Sequence, residues 1–164
     1  MARIREEQLL VPSILDRLID EEPERKVEPS KSRAQVLRDM KRSVRRDLEN
    51  LLNTRWRAQG WPEDLPELET SLVNYGIPDF TGATMSQPSE RARLRSTIER
   101  VIQRFEPRFK SVKVTLLENQ GEMSRTLRFK IEALMHAEPA PEPVVFDSQL
   151  EPSSASFQVN MGVS

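Results

Sequence analysis

Two charged residues flank a proline at the centre of segment 104–114, which reads RFEPRFKSVKV. A carboxylate such as Glu106 is the group that a glycoside hydrolase uses as its acid, with a second carboxylate across the cleft. The chain offers three candidates for that second group: Asp79, Glu118 and Glu122. Such an acid must be protonated near neutral pH, whereas the cations of Arg104 and Arg108 favour an ionised carboxylate. Hydrolysis is one interpretation, and the neighbouring arginines argue against it.

Two further interpretations of this corner involve no reaction. Glu106 and Arg108 can form a structural ion pair that joins a helix end to a strand start, while Pro107 ends the helix because it has no N–H to donate. An exposed ion pair contributes only about 0–1 kcal/mol to stability, so a rigid corner also fits a docking point for another protein. The residues alone leave all three interpretations open.

The residues that thiol catalysis, metal binding and nucleotide binding require are missing from the sequence. The chain has no cysteine and one histidine, His136, so neither a thiol nucleophile nor a cysteine- or histidine-rich metal site is available. The five glycines stand singly, and no glycine-rich phosphate-binding loop occurs. The sequence therefore predicts no cofactor and no metal.

Charge and composition limit the possible classes of protein. The 164 residues carry 25 Lys and Arg against 26 Asp and Glu; none of the basic residues follows Lys130, so residues 1–130 hold 25 basic against 21 acidic groups, a net of +4. An excess this small favours a solvated or protein-binding surface over nucleic-acid binding. No run of 18 apolar residues occurs, so direct membrane insertion is not expected.

Apolar spacing predicts two helices before residue 55. Residues 13–19 fit a short amphipathic helix with Ser13 as its cap. Ser32 and Gln35 stand in capping-box spacing at the start of a helix that runs to about Asn53. Its apolar face consists of Leu37, Met40, Val44, Leu48 and Leu51. A basic strip on its other faces is expected to be solvated, or to meet phosphates or an acidic protein surface; it consists of Arg38, Lys41, Arg42, Arg45 and Arg46.

Two more helices are predicted before the corner. Three residues mark a short one: Leu68, Leu72 and Tyr75. Gly76 closes it with a left-handed cap. A longer helix opens at 86–89, tolerates Pro88 in its first turn and ends at Pro107. Its core stripe consists of Leu94, Ile98, Val101, Ile102 and Phe105.

Strand-like alternation follows the corner. Residues 112–118 and 126–134 alternate around the turn ENQGE and predict a hairpin, and 144–150 and SFQV at 156–159 are further candidate strands. Helices first and strands later predict an α+β fold, with N-terminal helices packed on a small, mostly antiparallel C-terminal sheet.

The composition divides the chain into three expected parts. The many charges and two prolines of DEEPERKVEPSKS, at 20–32, predict that residues 1–31 form a flexible arm that contains the short amphipathic segment. Residues 32–150 form the expected domain. Residues 151–164 are expected to be a polar tail with a possible short strand.

Four motifs, in order and consistently spaced, resemble the TssE family, the baseplate wedge subunits of bacterial type VI secretion systems. They are ILDRL at 14–18, SVRRDLENLLNTR at 43–55, SLVNYGIPDF at 71–80 and RFEPRF at 104–109. That family is similar in turn to the lysozyme-like baseplate wedge protein of contractile-tailed phages, and the resemblance implies that fold over residues 11–150.

The resemblance implies a structural, non-enzymatic protein in the cytoplasm, at the inner-membrane-associated baseplate. The partners that it implies are the wedge subunits TssF and TssG, the nearby TssK, and the sheath proteins TssB and TssC. The protein would join the wedge complex and offer a platform on which the contractile sheath begins to polymerise.

The resemblance also implies the site residues. The family's Glu-Pro-Arg motif, a contact to the wedge core, maps onto residues 106–108. The expected partner-binding residues are Asn74, Tyr75, Gly76, Glu106, Pro107 and Arg108. The strands that would act as a sheath template carry Val112, Val114, Leu127, Phe129, Val145 and Phe146.

Overall fold

Two long helices lie on one face of an antiparallel sheet in the computed structural model of the chain. The structure describes residues 14–19, 24, 32–56, 64–65, 67–68, 71–80, 87–117, 126–137, 140–151 and 154–162. The elements in chain order are α1 (Ile14–Leu18), α2 (Arg33–Asn53), a 3₁₀ turn (Leu72–Asn74), α3 (Pro88–Phe105), β1 (Phe109–Leu117), β2 (Leu127–Met135), β3 (Glu142–Glu151) and β4 (Ser156–Met161). This architecture confirms the predicted α+β fold.

The capping box at the start of α2 forms as predicted. The Ser32 hydroxyl oxygen accepts from the N–H of Gln35 at 3.3 Å, and the Gln35 side-chain oxygen accepts from the N–H of Ser32 at 2.7 Å. The helix ends at Asn53, also as predicted, and Leu37 is only half-buried. The buried residues of α2 are Met40, Ser43, Val44, Leu48, Leu51 and Leu52.

α3 confirms the predicted helix before the corner. Pro88 is its first residue, where the missing N–H removes no helical hydrogen bond. Glu106 caps the C-terminus at φ −113° and ψ 82°, outside the helical region, because a residue that precedes a proline avoids it. Pro107 therefore ends the helix. Among the predicted core residues, Phe105 is half-buried and the others are buried: Leu94, Ile98, Val101 and Ile102.

The described strands form one sheet in the order β1-β2-β3-β4, and each neighbouring pair is antiparallel. The predicted β1–β2 hairpin pairing is thereby confirmed, while its turn lies outside the described residues. Buried residues alternate along β2, so one face of the sheet belongs to the core. α3 packs against β1 and α2 against β4 on that face. The opposite face carries half-buried charges such as Lys130 and Glu132, which form an ion pair.

The predicted short helix around Leu68 and Leu72 is wrong. The structure has 3₁₀ turns there, at 67–68 and at Leu72–Asn74, and Leu72 is 85% exposed, so the apolar spacing did not mark a core face. Side-chain bonds to the backbone hold the second turn instead. The Ser71 hydroxyl accepts from the N–H of Val73 at 3.3 Å, and the Asn74 amide donates to the carbonyl of Leu68 at 3.0 Å. Such bonds compete with helical hydrogen bonding.

Gly76 brings this segment against the end of α2. Its φ is positive, 110°, and a Cβ there would lie 2.3 Å from the carbonyl oxygen of Thr54, so the approach requires glycine. The N–H of Ile77 donates to that carbonyl at 2.9 Å, and the N–H of Trp56 donates to the carbonyl of Ile77 at 3.1 Å. The segment 71–80 is thereby fixed beside α2.

β4 pairs with β3 along its whole length, Ser156–Met161. The domain boundary expected at 150 therefore falls within the last residues of β3, which pairs with β4 in one sheet. Several residues named in the predictions lie outside the described residues: Ser13, Ser86, Glu118, Glu122 and most of 1–31. Over the described part of the chain, no helix has the length and apolar character needed to span a membrane.

Candidate functional site

The corner after α3 is held by a bidentate ion pair. Arg108 donates from Nε to Oε1 of Glu106 at 2.6 Å and from Nη2 to Oε2 at 2.5 Å, and its backbone N–H also donates to Oε1 at 3.1 Å. Glu106 is only 4% exposed, whereas Pro107 between them is exposed. The corner is therefore a rigid loop with one residue directed to solvent.

The same guanidinium group ties the corner to α2. Arg108 donates from Nη2 to Oδ2 of Asp47 at 2.7 Å and from Nη1 to the hydroxyl of Ser43 at 3.2 Å. Burial alone would lower the pKa of Arg108, but the hydrogen bonds and charges of Glu106 and Asp47 outweigh burial and raise it. Arg108 is thus kept as a cation between two carboxylates.

Two further residues connect α1 to this network. The Ser43 hydroxyl donates to Oδ2 of Asp16 at 2.6 Å, and Nη2 of Arg46 donates to Oδ1 of Asp16 at 2.8 Å. Arg46 also contacts Asp47 at 3.1 Å, and its pKa is raised chiefly by the bond to Asp16. We call this group of six residues the charge cluster: Asp16, Ser43, Arg46, Asp47, Glu106 and Arg108. Three carboxylates against two guanidinium groups give it a formal charge of −1.

A cavity of about 350 Å³ opens beside the charge cluster. Its walls are Asp47, Leu51, Tyr75, Phe105, Glu106, Pro107 and Arg108. Tyr75 and Phe105 meet edge to face, with ring centroids 5.5 Å apart and planes at 70°. Burial, and then the charges of Asp47 and Glu106, raise the pKa of Tyr75 above its usual 10.0, and Arg108 opposes them. The cavity therefore combines apolar walls with a negative electrostatic potential.

Four of the six expected partner-binding residues line this cavity: Tyr75, Glu106, Pro107 and Arg108. The other two do not. Asn74 is 3% exposed, with its amide bonded to the carbonyl of Leu68, and Gly76 is buried against Thr54. These two residues position the segment that carries Tyr75.

The expected template residues lie mostly in the core. Val145 is half-buried on the opposite face, and the others are buried: Val112, Val114, Leu127, Phe129 and Phe146. Val112 and Val114 lie on β1, an edge strand of the described sheet. The edge is covered at Val114, whose N–H donates to Oε2 of Glu99 at 2.9 Å. A strand added at this position would displace that carboxylate.

The geometry does not present Glu106 as a hydrolytic acid. Both of its oxygens accept from Arg108, and the other carboxylate of the cavity, Asp47, is bound by the same guanidinium group. Asp79 is exposed and is not part of the cavity wall. Within the described ranges, no group of three His, Asp or Glu side chains is placed to hold a metal ion.

The sequence did not predict the residues of α1 and α2 that complete the cluster. Ser43 and Asp47 are polar residues four positions apart at the border of the apolar face of α2, and this spacing was the available signal. Three members of the basic strip are bound within the chain rather than solvated: Lys41 to Glu142 at 2.9 Å, Arg45 to Glu49 at 2.7 Å and Arg46 to Asp16 at 2.8 Å.

Fold and site together define an α+β scaffold with a rigid, buried ion pair at the rim of a partly apolar cavity. The family model described as baseplate wedge protein gp25 matches residues 38–140, which contain most of α2, the corner and the β1–β2 hairpin. The chain belongs to this baseplate wedge protein family.

The comparison with solved structures gives a chain of "The baseplate complex from the type VI secretion system". It is 21% identical, the match covers 66% of this chain and 92% of that one, and the TM-score is 0.46. The comparison with curated proteins gives no significant match.

Proposed function

We propose that this protein is the TssE-type wedge subunit of a type VI secretion baseplate and has no catalytic activity. Family membership over residues 38–140 carries the proposal, and the four motifs that resemble TssE favour secretion over a phage tail. In this role it joins TssF and TssG, with TssK nearby, in the cytoplasm at the inner-membrane-associated baseplate. It then supports the first layer of sheath proteins TssB and TssC.

The docking surface in this proposal is the cavity rather than the ion pair itself. Glu106 is buried and Arg108 is bound to two carboxylates, so these side chains hold the shape of the surface. Pro107 is exposed at its rim, and Tyr75 and Phe105 supply apolar walls. A preformed concave site of this size accepts one or two partner side chains without rearrangement.

A sheath-template role requires backbone pairing at a sheet edge. The expected template side chains, apart from Val145, are buried in the core, so in this proposal they shape the sheet. An added strand would instead pair with the outward N–H and C=O groups of an edge strand. On β1 it would displace Glu99 from the N–H of Val114, and the buried valines of β1 would support that edge.

Co-purification with the wedge subunits tests the docking proposal. Tagged wild-type chain, Tyr75→Ala and Tyr75→Phe are co-expressed with TssF and TssG. Phenylalanine keeps the wall and its contact with Phe105, so Tyr75→Phe should bind as wild type, whereas Tyr75→Ala should lose most of the bound TssF and TssG. Glu132→Ala, on the opposite sheet face, is a second control.

Sheath formation in cells gives the second readout. The variants are expressed in a strain whose own gene for this protein is deleted. That strain should form few fluorescent sheaths with the Tyr75→Ala variant and normal numbers with the Tyr75→Phe variant. Folded wild-type chain that fails to co-purify with TssF and TssG would overturn the proposed function. Equal binding by Tyr75→Ala and wild type would overturn the cavity as the docking surface.

A further inference from the structure

The cavity beside the charge cluster has walls of two kinds. Its apolar walls include Tyr75 and Phe105, and its charged walls are Asp47, Glu106 and Arg108. Two carboxylates against one guanidinium group give these walls a formal charge of −1. A partner side chain that fills the cavity must therefore suit both an apolar surface and a negative charge.

Arg108 is not available to an incoming anion. Its Nε and Nη2 donate to Glu106, Nη2 also donates to Asp47, and Nη1 donates to Ser43. All three side-chain nitrogens thus already donate within the chain. A partner carboxylate would have to break one of these bonds and would be repelled by Asp47 and Glu106. An acidic occupant is therefore disfavoured.

The two carboxylates of the wall keep room for another donor. Oδ2 of Asp47 and Oε2 of Glu106 accept from the same nitrogen, Nη2 of Arg108, at 2.7 Å and 2.5 Å. Among the residues that the structure describes, neither oxygen accepts a second hydrogen bond. An ionised carboxylate offers about four lone-pair sites, two on each oxygen. Two acceptor positions therefore lie close together at the cavity.

The aromatic walls favour a cation as well, because an aromatic ring attracts a cation that lies over its face. Burial raises the pKa of Tyr75, and the charges of Asp47 and Glu106 raise it further, as a negative potential does for a phenol. An apolar occupant would instead take water away from the side chain of Asp47, which is 27% exposed, and would offer it no donor.

We propose that the cavity binds an arginine side chain of the docking partner, an inference that rests on the proposed docking role of the cavity. The methylene stem of arginine packs on apolar surface, and its planar guanidinium group stacks on aromatic rings and donates several hydrogen bonds at once. Its N–H groups would reach Oδ2 of Asp47 and Oε2 of Glu106. The ammonium group of lysine is compact and strongly hydrated and does not stack in this way.

Binding of capped amino acids to the full-length chain tests the choice of side chain. The probes are the N-acetyl methylamides of arginine, lysine and citrulline, which has the stem of arginine and an uncharged urea group. Amide chemical shifts should place the arginine probe at the cavity, with a dissociation constant in about the millimolar range expected of so small a ligand. The citrulline probe should bind at least about tenfold more weakly, because it loses the charge-assisted hydrogen bonds. The lysine probe should also bind more weakly than the arginine probe.

Asp47→Asn removes one negative charge from the wall and nearly keeps its shape. It should weaken binding of the arginine probe by at least about tenfold and abolish the preference for arginine over citrulline. Glu49→Gln, on the same helix and outside the wall, should bind both probes as wild type does. Tyr75→Leu, which keeps an apolar wall and removes the ring, is the second variant if Asp47→Asn does not fold, and it should weaken the arginine probe by about fivefold.

Equal binding of the arginine and citrulline probes to wild type would overturn the proposal, and so would tighter binding of the lysine probe. Arginine binding that Asp47→Asn leaves unchanged would also overturn it. These results differ from a failure of the wedge role. A chain that selects arginine but does not co-purify with TssF and TssG overturns that role and leaves the cavity chemistry standing. Wild type that co-purifies with them but does not select arginine overturns this inference alone.

Discussion

Arg108 holds both carboxylate oxygens of Glu106 across a single proline, with Nε 2.6 Å from Oε1 and Nη2 2.5 Å from Oε2. Side chains two positions apart do not face each other on a helix. The pair forms because the chain leaves the helical conformation at Glu106, which precedes Pro107. The proline thus creates the geometry of the ion pair, and Asp47 and Ser43 attach that pair to α2.

Removal of the central cation should destabilise the fold. Arg108→Ala leaves the Glu106 side chain, which is 5% exposed, without its guanidinium partner. An uncompensated buried charge costs about 3–5 kcal/mol, so the free energy of unfolding, measured in urea, should fall by about that amount. The same substitution at Arg42, which is 68% exposed and 3.8 Å from Asp39, should cost less than about 1 kcal/mol.

If Arg108→Ala and Arg42→Ala lowered the free energy of unfolding equally, a structural role for the charge cluster would be contradicted. The comparison also affects how Arg108→Ala is used in binding experiments. Because the substitution is expected to weaken the fold, a loss of partner binding in this variant does not identify a docking contact by itself.

Gly76→Ala should destabilise the protein through the backbone. The residue has φ 110°, and a Cβ would lie 2.3 Å from the carbonyl oxygen of Thr54. A strained backbone of this kind costs about 1–3 kcal/mol, and a lower midpoint of thermal unfolding should report it. Gly162→Ala is the comparison, because its φ is not in the positive range and its nearest contact is a methyl group of Val145. If Gly76→Ala lowered the unfolding midpoint less than Gly162→Ala does, backbone strain at Gly76 would be refuted.

The helices and strands could be predicted from the sequence because their signals are local. The capping box at Ser32, the apolar stripe of α3 and the stop at Pro107 each involve residues within a few positions of one another. The alternation of β1 and β2 is local in the same way. One local signal misled: the spacing of Leu68 and Leu72 suggested a helix, whereas Ser71 and Asn74 bind the backbone and form a 3₁₀ turn.

The charge cluster depends on contacts between distant residues. Arg108 meets Ser43 and Asp47 across 65 and 61 positions, and Asp16 meets Ser43 across 27. No local pattern fixes which carboxylate reaches Arg108; the packing of α1 and α2 beside the corner decides it. The residue types at the corner indicated an ion pair, but neither its burial nor its partners on α2 followed from them.

The single tyrosine of the chain reports the charge of the cavity. Spectrophotometric titration of Tyr75 should give a midpoint above 10.0, because burial and the carboxylates of Asp47 and Glu106 raise its pKa. Asp47→Asn should move the midpoint downward. Glu49→Gln, on the same helix and outside the cavity wall, should leave it unchanged. Equal midpoints for Asp47→Asn and wild type would contradict the negative potential inferred for the cavity.

The same raised pKa predicts how stability depends on pH. The folded chain binds the Tyr75 proton more tightly than the unfolded chain does, so this contribution to stability is complete below the unfolded value of 10.0. It should be lost as the pH rises through the folded pKa. Urea unfolding of wild type and Tyr75→Phe above pH 9 isolates this contribution. The free energy of unfolding should fall more steeply with rising pH for wild type than for Tyr75→Phe. Parallel curves would show that Tyr75 does not contribute.

Asp16 should determine whether α1 stays on α2. A helix of five residues is not stable alone, so its order depends on tertiary contacts. Asp16 supplies them through Ser43 at 2.6 Å and Arg46 at 2.8 Å. Asp16→Ala should therefore increase amide exchange across 14–19 and leave the β1–β2 hairpin protected. Asp39→Ala, which removes a more exposed carboxylate on α2, should change neither region. If exchange in 14–19 were the same in Asp16→Ala and wild type, the docking of α1 would have to rest on other contacts, and the cluster would not extend beyond α2 and the corner.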